Sequence, residues 1–399
     1  MDNNFIKNNI LEIFDEIVKI RREIHMNPEL GFNEIETSKI IKKFLLENNI
    51  EFKEIAGTGV LGILKNGDGC VIACRADIDA LPIIEENNSE YKSKVNGRMH
   101  ACGHDAHTAI QLGVAKFLSN NRDKWSGTVK FIFQPAEETT GGAKPMIEEG
   151  VLENPKVDYI FSLHVAPEIE VGKIGIKYGK MHASSDMFEI KIFGESAHGA
   201  LPQNGIDAIV IASQLVNYIQ TIISRNIDPR EEAVITIGKI RGGEVENIIC
   251  NLVELKGTIR TLSPEVRKYI LVKMEDNVKR FVEAAGGRAE VFIRNGYDSV
   301  INDDEMTKIA ENNAKELFGE SNVIKIDKPR MDVEDFSFFL QKARGTFFRL
   351  GIRNEEKGII YDLHHPRFDL DEESIKLGMA LQIKNILKVL EMGEYENRR

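Results

Sequence analysis

The chain has 399 residues, 42% hydrophobic and 29% charged, a balance that excludes disorder as its main state and suggests two or three domains at roughly 100–200 residues each. Acidic residues number 63 against 52 basic ones, and the resulting net charge of −11 argues against nucleic acid or an anionic membrane as the main partner. No apolar run reaches about 18 residues, so no membrane span is expected, and the polar start Met1-Asp2-Asn3-Asn4 reads as a cytoplasmic protein without a signal peptide.

Ile10, Phe14, Ile17, Ile20 and Ile24 fall three or four residues apart and predict an opening helix. A second helix follows Glu34, with Ile40, Ile41, Phe44 and Leu45 on its apolar side. Two strand-like runs, 59–64 and 70–79, bracket Asn66-Gly67-Asp68-Gly69 and predict a hairpin. Past residues 100–107 the pattern reads helix to about Asn120, strand 128–133, a short helix after Gly142, strand 159–165 and brief strands around 172–178. Apolar strands alternating with helices predict an α/β domain whose sheet is covered on both faces. From Met187 onward come strand 188–193, helix 206–223, strands 234–240 and 252–262, helix 265–284 and strand 289–293. That β-α-β-β-α-β order is the ferredoxin-like α+β motif. The helices at 304–317 and 372–390 and the mixed region between them lack the strands to stand alone. The small domain, 184–297, is therefore read as an insertion into an α/β domain formed by 1–183 and 298–399.

Four cysteines, Cys70, Cys74, Cys102 and Cys250, do not make a disulfide framework in a chain this long, so a special cysteine is read as ligand or nucleophile. Three of the nine histidines fall in His100-Ala101-Cys102-Gly103-His104-Asp105-Ala106-His107. Cys102 and His104 are two apart and face one side of an extended segment, half of a transition-metal site. Gln134-Pro135-Ala136-Glu137-Glu138 follows a strand. Neighbouring carboxylates there face different ways, so one can hold a metal while the other takes a proton from a bound water. His164, the pair Asp77 and Asp79, and His364-His365-Pro366 also stand at strand ends or in loops. Singly, each has an ordinary reading as a core histidine, a surface carboxylate or a turn cap. Together they suggest one site at the carboxyl ends of the strands.

These residues resemble a known family. Arg22-Glu23-Ile24-His25-Met26-Asn27-Pro28-Glu29-Leu30-Gly31, Arg75-Ala76-Asp77-Ile78-Asp79-Ala80-Leu81-Pro82, Gly97 to Asp105, Gln134 to Glu138, Leu163-His164, Ala197-His198-Gly199 and Leu363-His364 occur in the order seen in metal-dependent amidohydrolases. The group is the aminoacylase/carboxypeptidase metallopeptidase family, in the branch of hippurate hydrolase, indoleacetyl-amino-acid hydrolase and N-acetyldiaminopimelate deacetylase. The resemblance implies a mixed-sheet, zinc-peptidase-like catalytic domain with the inserted domain as lid and dimerisation module. It implies Cys102, His104, Glu138, His164 and His364 as ligands of two divalent metal ions per subunit, zinc first, with manganese, cobalt or nickel as alternatives. It makes Glu137 the general base and Asp77 the carboxylate that orients the site. His198 would stabilise the oxyanion from a partner subunit, and Asn247 and Arg260 would bind the substrate's amide region and carboxylate. Other branches carry a metal-binding histidine where this chain has Arg75, and a guanidinium cannot ligate a cation. The expected reaction is hydrolysis of an N-acyl amino acid or short peptide by a homodimer or homotetramer. Two rivals stay open on the residues alone: a cysteine amidase built on Cys102, and a non-catalytic metal-binding protein.

Overall fold

The computed structural model describes residues 1–396 and shows two compact units. One comprises Met1–Gly179, Ile301–Asp327 and the chain from Phe338 onward; the other comprises Lys180–Val300 and Lys328–Ser337. The segment Lys328–Ser337, expected with the larger part, groups with the smaller one.

Helix α1 (Asn3–Met26) starts at Asp2, whose carboxylate accepts from the amides of Asn4 and Phe5, and buries Ile6, Ile10, Ile13, Ile17 and Ile24. In α2 (Ile35–Glu47) the first-turn amides of Glu36 and Thr37 donate to the Glu29 carboxylate at 3.1 and 2.9 Å. There follow β1 (Glu51–Ile55), β2 (Gly59–Asn66), β3 (Val71–Asp77), α3 (His104–Asn120), β4 (Gly127–Gln134), α4 (Ala143–Glu148), β5 (Tyr159–Glu170), β6 (Ile174–Ile176) and β7 (Gly179–His182). The second unit carries β8 (Asp186–Phe193), α5 (Ala208–Asn226), β9 (Ala233–Gly242), β10 (Leu252–Thr261), α6 (Pro264–Ala284) and β11 (Arg288–Asn295). The chain ends with β12 (Val300–Asn302), α7 (Asp304–Phe318), β13 (Val323–Lys325), α8 (Ser337–Leu340), β14 (Arg344–Arg353) and α9 (Glu373–Glu396).

The larger unit is built on an eight-stranded mixed sheet in the order β1-β2-β4-β3-β5-β14-β6-β13. Its centre, β4-β3-β5-β14, is parallel. Every residue of β3 and β4 is buried, as a parallel strand covered on both faces requires. Ile72, Phe131, Phe161 and Phe348 from these strands share one core with Ile17 of α1, Leu112 of α3 and Ile383 of α9. The expected hairpin across Asn66–Gly69 is corrected: β2 and β3 do not pair, because β4 lies between them, antiparallel to β2 and parallel to β3. The turn thus joins two strands that flank a third.

The second unit is a four-stranded antiparallel sheet, β11-β8-β10-β9, with α5 and α6 packed on one face. Ile190, Leu255, Ile259, Leu215, Ile219, Met274 and Val278 form its core, while Met187 and Phe292 stand exposed on the sheet. No helix among the described residues is long and apolar enough to cross a membrane.

Candidate metal centre

The parallel register sets the floor of the site. Asp77 pairs with Gln134, and Arg75 with Ser162, which carries His164 to the level of Asp77 at one end of three adjacent strands. Above that level the chain makes three tight turns. Gly103, with φ of +85°, precedes α3, and a Cβ there would lie 2.5 Å from Val165 Cγ2. Only glycine lets Cys102 and His104 approach β5 so closely. Ala136, with φ of +55°, turns the chain between β4 and Glu137. His364, with φ of +64°, donates its amide to Ala101 O at 2.8 Å and so is tied to the Cys102 segment.

The five residues expected as ligands lie together. Cys102 Sγ is 3.4 Å from His164 Nε2, Glu138 Oε1 is 3.0 Å from His364 Nε2, and His104 Nε2 is 3.9 Å from Glu138 Oε1. Donor atoms of Cys102, Glu138 and His364 fall within 4.8 Å of one another, as do those of His104, Glu137 and Glu138. His164 donates from Nδ1 to Val165 O at 2.8 Å, leaving Nε2 aimed at the thiol. His104 donates from Nδ1 to Asp79 Oδ1 at 3.2 Å, and its buried Nε2 has no hydrogen-bond partner. An imidazole braced by a carboxylate with the other nitrogen open is the arrangement of a metal-ligating histidine. Sulfur, imidazole and carboxylate donors suit a divalent d-block cation, so the residues present fit a metal.

The same geometry gives partners to residues behind the expected ligands. Asp79, legible only as a turn cap, braces two groups: Oδ1 accepts from His104, and Oδ2 accepts the Glu138 amide at 3.0 Å. Asp77 accepts from His107 Nδ1 at 2.6 Å and from Arg75 Nη1 at 2.7 Å, and its nearest approach to His104 Nε2 is 3.7 Å. His107 in turn accepts the Val165 amide on Nε2 at 3.0 Å, so both its nitrogens are engaged and it holds the backbone beside His164. His25 bonds Asp105 at 2.7 Å and Arg21 pairs with the same carboxylate at 2.7 Å, anchoring the first turn of α3. One signal was available: Asp77 and Asp79, two apart at a strand end, share a side as Cys102 and His104 do.

Electrostatics favour a cation here. Burial pushes the Cys102 thiol well up, and the Glu138 and Glu137 carboxylates push it further. A thiol ringed by carboxylates is a poor nucleophile and a good place for positive charge. Burial opposes the charge on Glu138, but the bond from His364 and the field of His104 bring its pKa below the usual carboxylate value. Burial also opposes charge on Asp77, yet His104, Arg75 and His107 hold it well below that value. Burial, then His107 and Arg349, keep His164 neutral, the state a metal ligand needs.

His198, Asn247 and Arg260 belong to the second unit. His198 is exposed, accepts the Ala200 amide on Nδ1 at 3.0 Å, and its loop is stitched to the Asn247 loop by Gly199 N to Asn247 O at 2.8 Å. Arg260 is half-buried near the far end of β10, and its Nη1 is buried without a hydrogen-bond partner. At roughly 3.3 Å per residue, the strand puts about 25 Å between the His198–Asn247 loops and Arg260. Within this unit the first two come together and the third does not join them.

A mixed α/β unit with thiol, imidazole and carboxylate groups gathered at its parallel strand ends has the donor set of a metal-dependent enzyme, and comparison with known proteins gives the family. Residues 73–388 match the model of peptidase family M20/M25/M40, and the chain belongs to that family. It is 43% identical over 383 residues to thermostable carboxypeptidase 2 of Saccharolobus solfataricus, covering 94% of this chain and 95% of that one. It is 38% identical over 389 residues to N-acetyl-L-cysteine deacetylase of Bacillus subtilis, covering 97% and 91%. A solved Bacillus subtilis structure described as a dinuclear metal-binding peptidase of the M20 family superposes with a TM-score of 0.83 at 36% identity, covering 95% of this chain and 99% of that one.

Proposed function

We propose that the chain cleaves the amide bond of N-acyl amino acids or short peptides by adding water to the carbonyl, with Glu137 as general base. One observation carries the reading: the turn after β4 presents Glu137 and Glu138 in succession beside His104, with Glu138 also grouped with Cys102 and His364. Relatives that carry carboxypeptidase and deacetylase names support the substrate class.

In this reading Cys102, His104, Glu138, His164 and His364 hold two divalent ions, and Asp77 orients the site from below. Five donors exceed one tetrahedral zinc and suit a two-ion centre; the sulfur favours zinc, with manganese, cobalt and nickel as alternatives. Bound there, such ions lower the pKa of a water and polarise a carbonyl. Glu137 takes the proton of the attacking water and returns it to the amine nitrogen as the C–N bond breaks. Arg260 pairs with the substrate's free carboxylate, Asn247 contacts its amide region, and His198 holds the developing oxyanion. The length of β10 supports supply of His198 by a partner subunit, because one copy of the second unit does not gather His198 and Arg260 on one small substrate. A homodimer or homotetramer follows, with residues 184–297 as the lid and dimerisation domain.

The test measures turnover and metal content together. Glu137→Ala should keep its metal and lose turnover, whereas Glu138→Ala should lose metal. Glu137→Ala that keeps both metal and turnover sinks the base assignment. Hybrids of His198→Ala and Glu137→Ala subunits should regain one working site if His198 acts across subunits, and none if it does not. A panel of N-acetyl and N-benzoyl amino acids and dipeptides, run with zinc, manganese, cobalt and nickel in turn, fixes substrate and metal.

A further inference from the structure

The segment Asn27 to Glu34 contributes none of the residues proposed to hold metal or substrate, yet it touches the site at two points. Its backbone pairs with the strand end at Ala80, through the Leu30–Ala80 bridge and Ala80 N to Glu29 O at 2.8 Å. Its last residue, Glu34, is fully buried and reaches the turn after β4: Oε1 accepts the Ala136 amide at 2.9 Å, and Oε2 accepts the Thr58 hydroxyl at 2.5 Å.

Ala136 is the residue that needs holding. With φ of +55° it occupies the left-handed region, where a Cβ is disfavoured, and it does so immediately before Glu137. Such a conformation persists only when its surroundings over-determine it. The surroundings here are tight. A Cβ on Gly31 would lie 2.9 Å from Ala136 Cα, and one on Gly142 would lie 2.0 Å from Pro135 O. On the other side of Glu137, the Glu138 amide is held by Asp79. Two buried carboxylates therefore grip the amides on either side of Glu137, Glu34 from the Asn27–Glu34 segment itself and Asp79 from the strand end that this segment pairs with.

We infer that Glu34 is a positioning residue: by holding the amide of Ala136 it fixes the left-handed turn that aims Glu137 at the reacting water while Glu138 faces its ligand partners. The inference rests on the reading of Glu137 as base. Misplacement of a reacting group by about 1 Å costs roughly 100-fold in rate.

The experiment compares kcat, KM, metal content and melting temperature for Glu34→Ala, Glu34→Gln, the double variant Glu34→Ala with Ala136→Gly, and Glu137→Ala. Glu34→Ala should lower kcat roughly 10- to 100-fold with KM and metal content unchanged. Glu34→Gln keeps an acceptor for Ala136 and an amide for Thr58, so it should recover most of that loss. Glycine adopts positive φ without a Cβ penalty, so Ala136→Gly should restore part of kcat in the Glu34→Ala background. Unchanged kcat in Glu34→Ala, a joint fall of kcat and metal content, or no rescue by either second change overturns the proposal. If Glu34→Ala does not fold, Thr58→Val carries the test: several-fold lower kcat at constant KM supports the inference, and unchanged kcat overturns it. The control separates the two claims. An active Glu137→Ala removes the base reading and this inference with it, whereas an inactive Glu137→Ala beside a fully active Glu34→Ala removes this inference alone.

Discussion

Asp79→Asn changes one atom and should disable the metal centre. The Asp79 carboxylate is 1% exposed and accepts two bonds, from His104 Nδ1 at 3.2 Å and from the Glu138 amide at 3.0 Å. Both partners are donors, so both oxygens must accept, and asparagine offers one oxygen. If that oxygen faces His104, the new NH2 meets the Glu138 N–H head-on and Glu138 shifts. If the amide flips, NH2 donates to His104 Nδ1 and forces the ring proton onto Nε2, closing the lone pair that faces the centre. In the first orientation one hydrogen bond to a charged group is lost, about 1.5–3 kcal/mol, and in the second both bonds survive but His104 loses the nitrogen that would ligate. That energy corresponds to roughly 10- to 150-fold in affinity, the range seen when partners behind metal ligands are removed. The assay is zinc competition against a chromophoric chelator, with circular dichroism to confirm the fold. Zinc affinity within about threefold of the parent, in folded protein, refutes Asp79 as the brace and His104 Nε2 as a donor.

Three further predictions concern charge and metal. Arg75 is 2% exposed, pairs with Asp77 at 2.7 Å and donates to Gln134 at 2.8 Å. Arg75→Met leaves a buried carboxylate without its cation and should cost about 3–5 kcal/mol in urea unfolding; a loss under about 1 kcal/mol contradicts this. Lys130 is fully buried in β4 with Nζ donating to Val151 O at 3.1 Å, and burial, then Lys53, lower its pKa to about 8. The unfolded chain keeps that proton to about pH 10.4, so between about pH 8 and 10 it binds more protons than the folded chain, and this group makes stability rise with pH. Lys130→Met should remove that rise relative to the parent, and identical pH slopes in the two proteins contradict the assignment. Chelation should abolish turnover, added zinc should restore it, and Cys102 in the metal-free protein should alkylate more slowly than a solvent-exposed thiol. Full turnover in chelator together with inactivation by alkylation at saturating metal points instead to a cysteine amidase.

What the sequence made legible was local. Cys102 with His104, and Glu137 with Glu138, are short-range patterns at strand ends, and the alternation of apolar runs and helices locates most elements within a few residues. What escaped depends on contacts distant in sequence. The Glu34–Ala136 bond spans 102 residues and the Asp79–Glu138 bond 59, so neither carboxylate advertises its role locally. β14 is central in the sheet beside β5, yet Gly345, Arg349 and Gly351 interrupt its apolar pattern. Arg349 is buried there with Glu168 3.2 Å from its guanidinium, a pairing no window of sequence displays. The misread hairpin has the same origin: Asn66–Gly69 has the composition of a two-strand turn, and only the entry of β4 more than fifty residues later separates its arms.

That separated turn has a practical use. Gly67, Asp68 and Gly69 are exposed at the amino end of β3, while the candidate metal centre lies past its carboxyl end, about 23 Å away at 3.3 Å per residue along Val71–Asp77. Because its arms do not pair with each other, lengthening the turn does not alter a hairpin register, and the β2–β4 and β4–β3 ladders stay as they are. It is therefore the place to splice in an affinity tag, a fluorophore site or a surface tether for immobilising the enzyme with its chemistry facing away from the support.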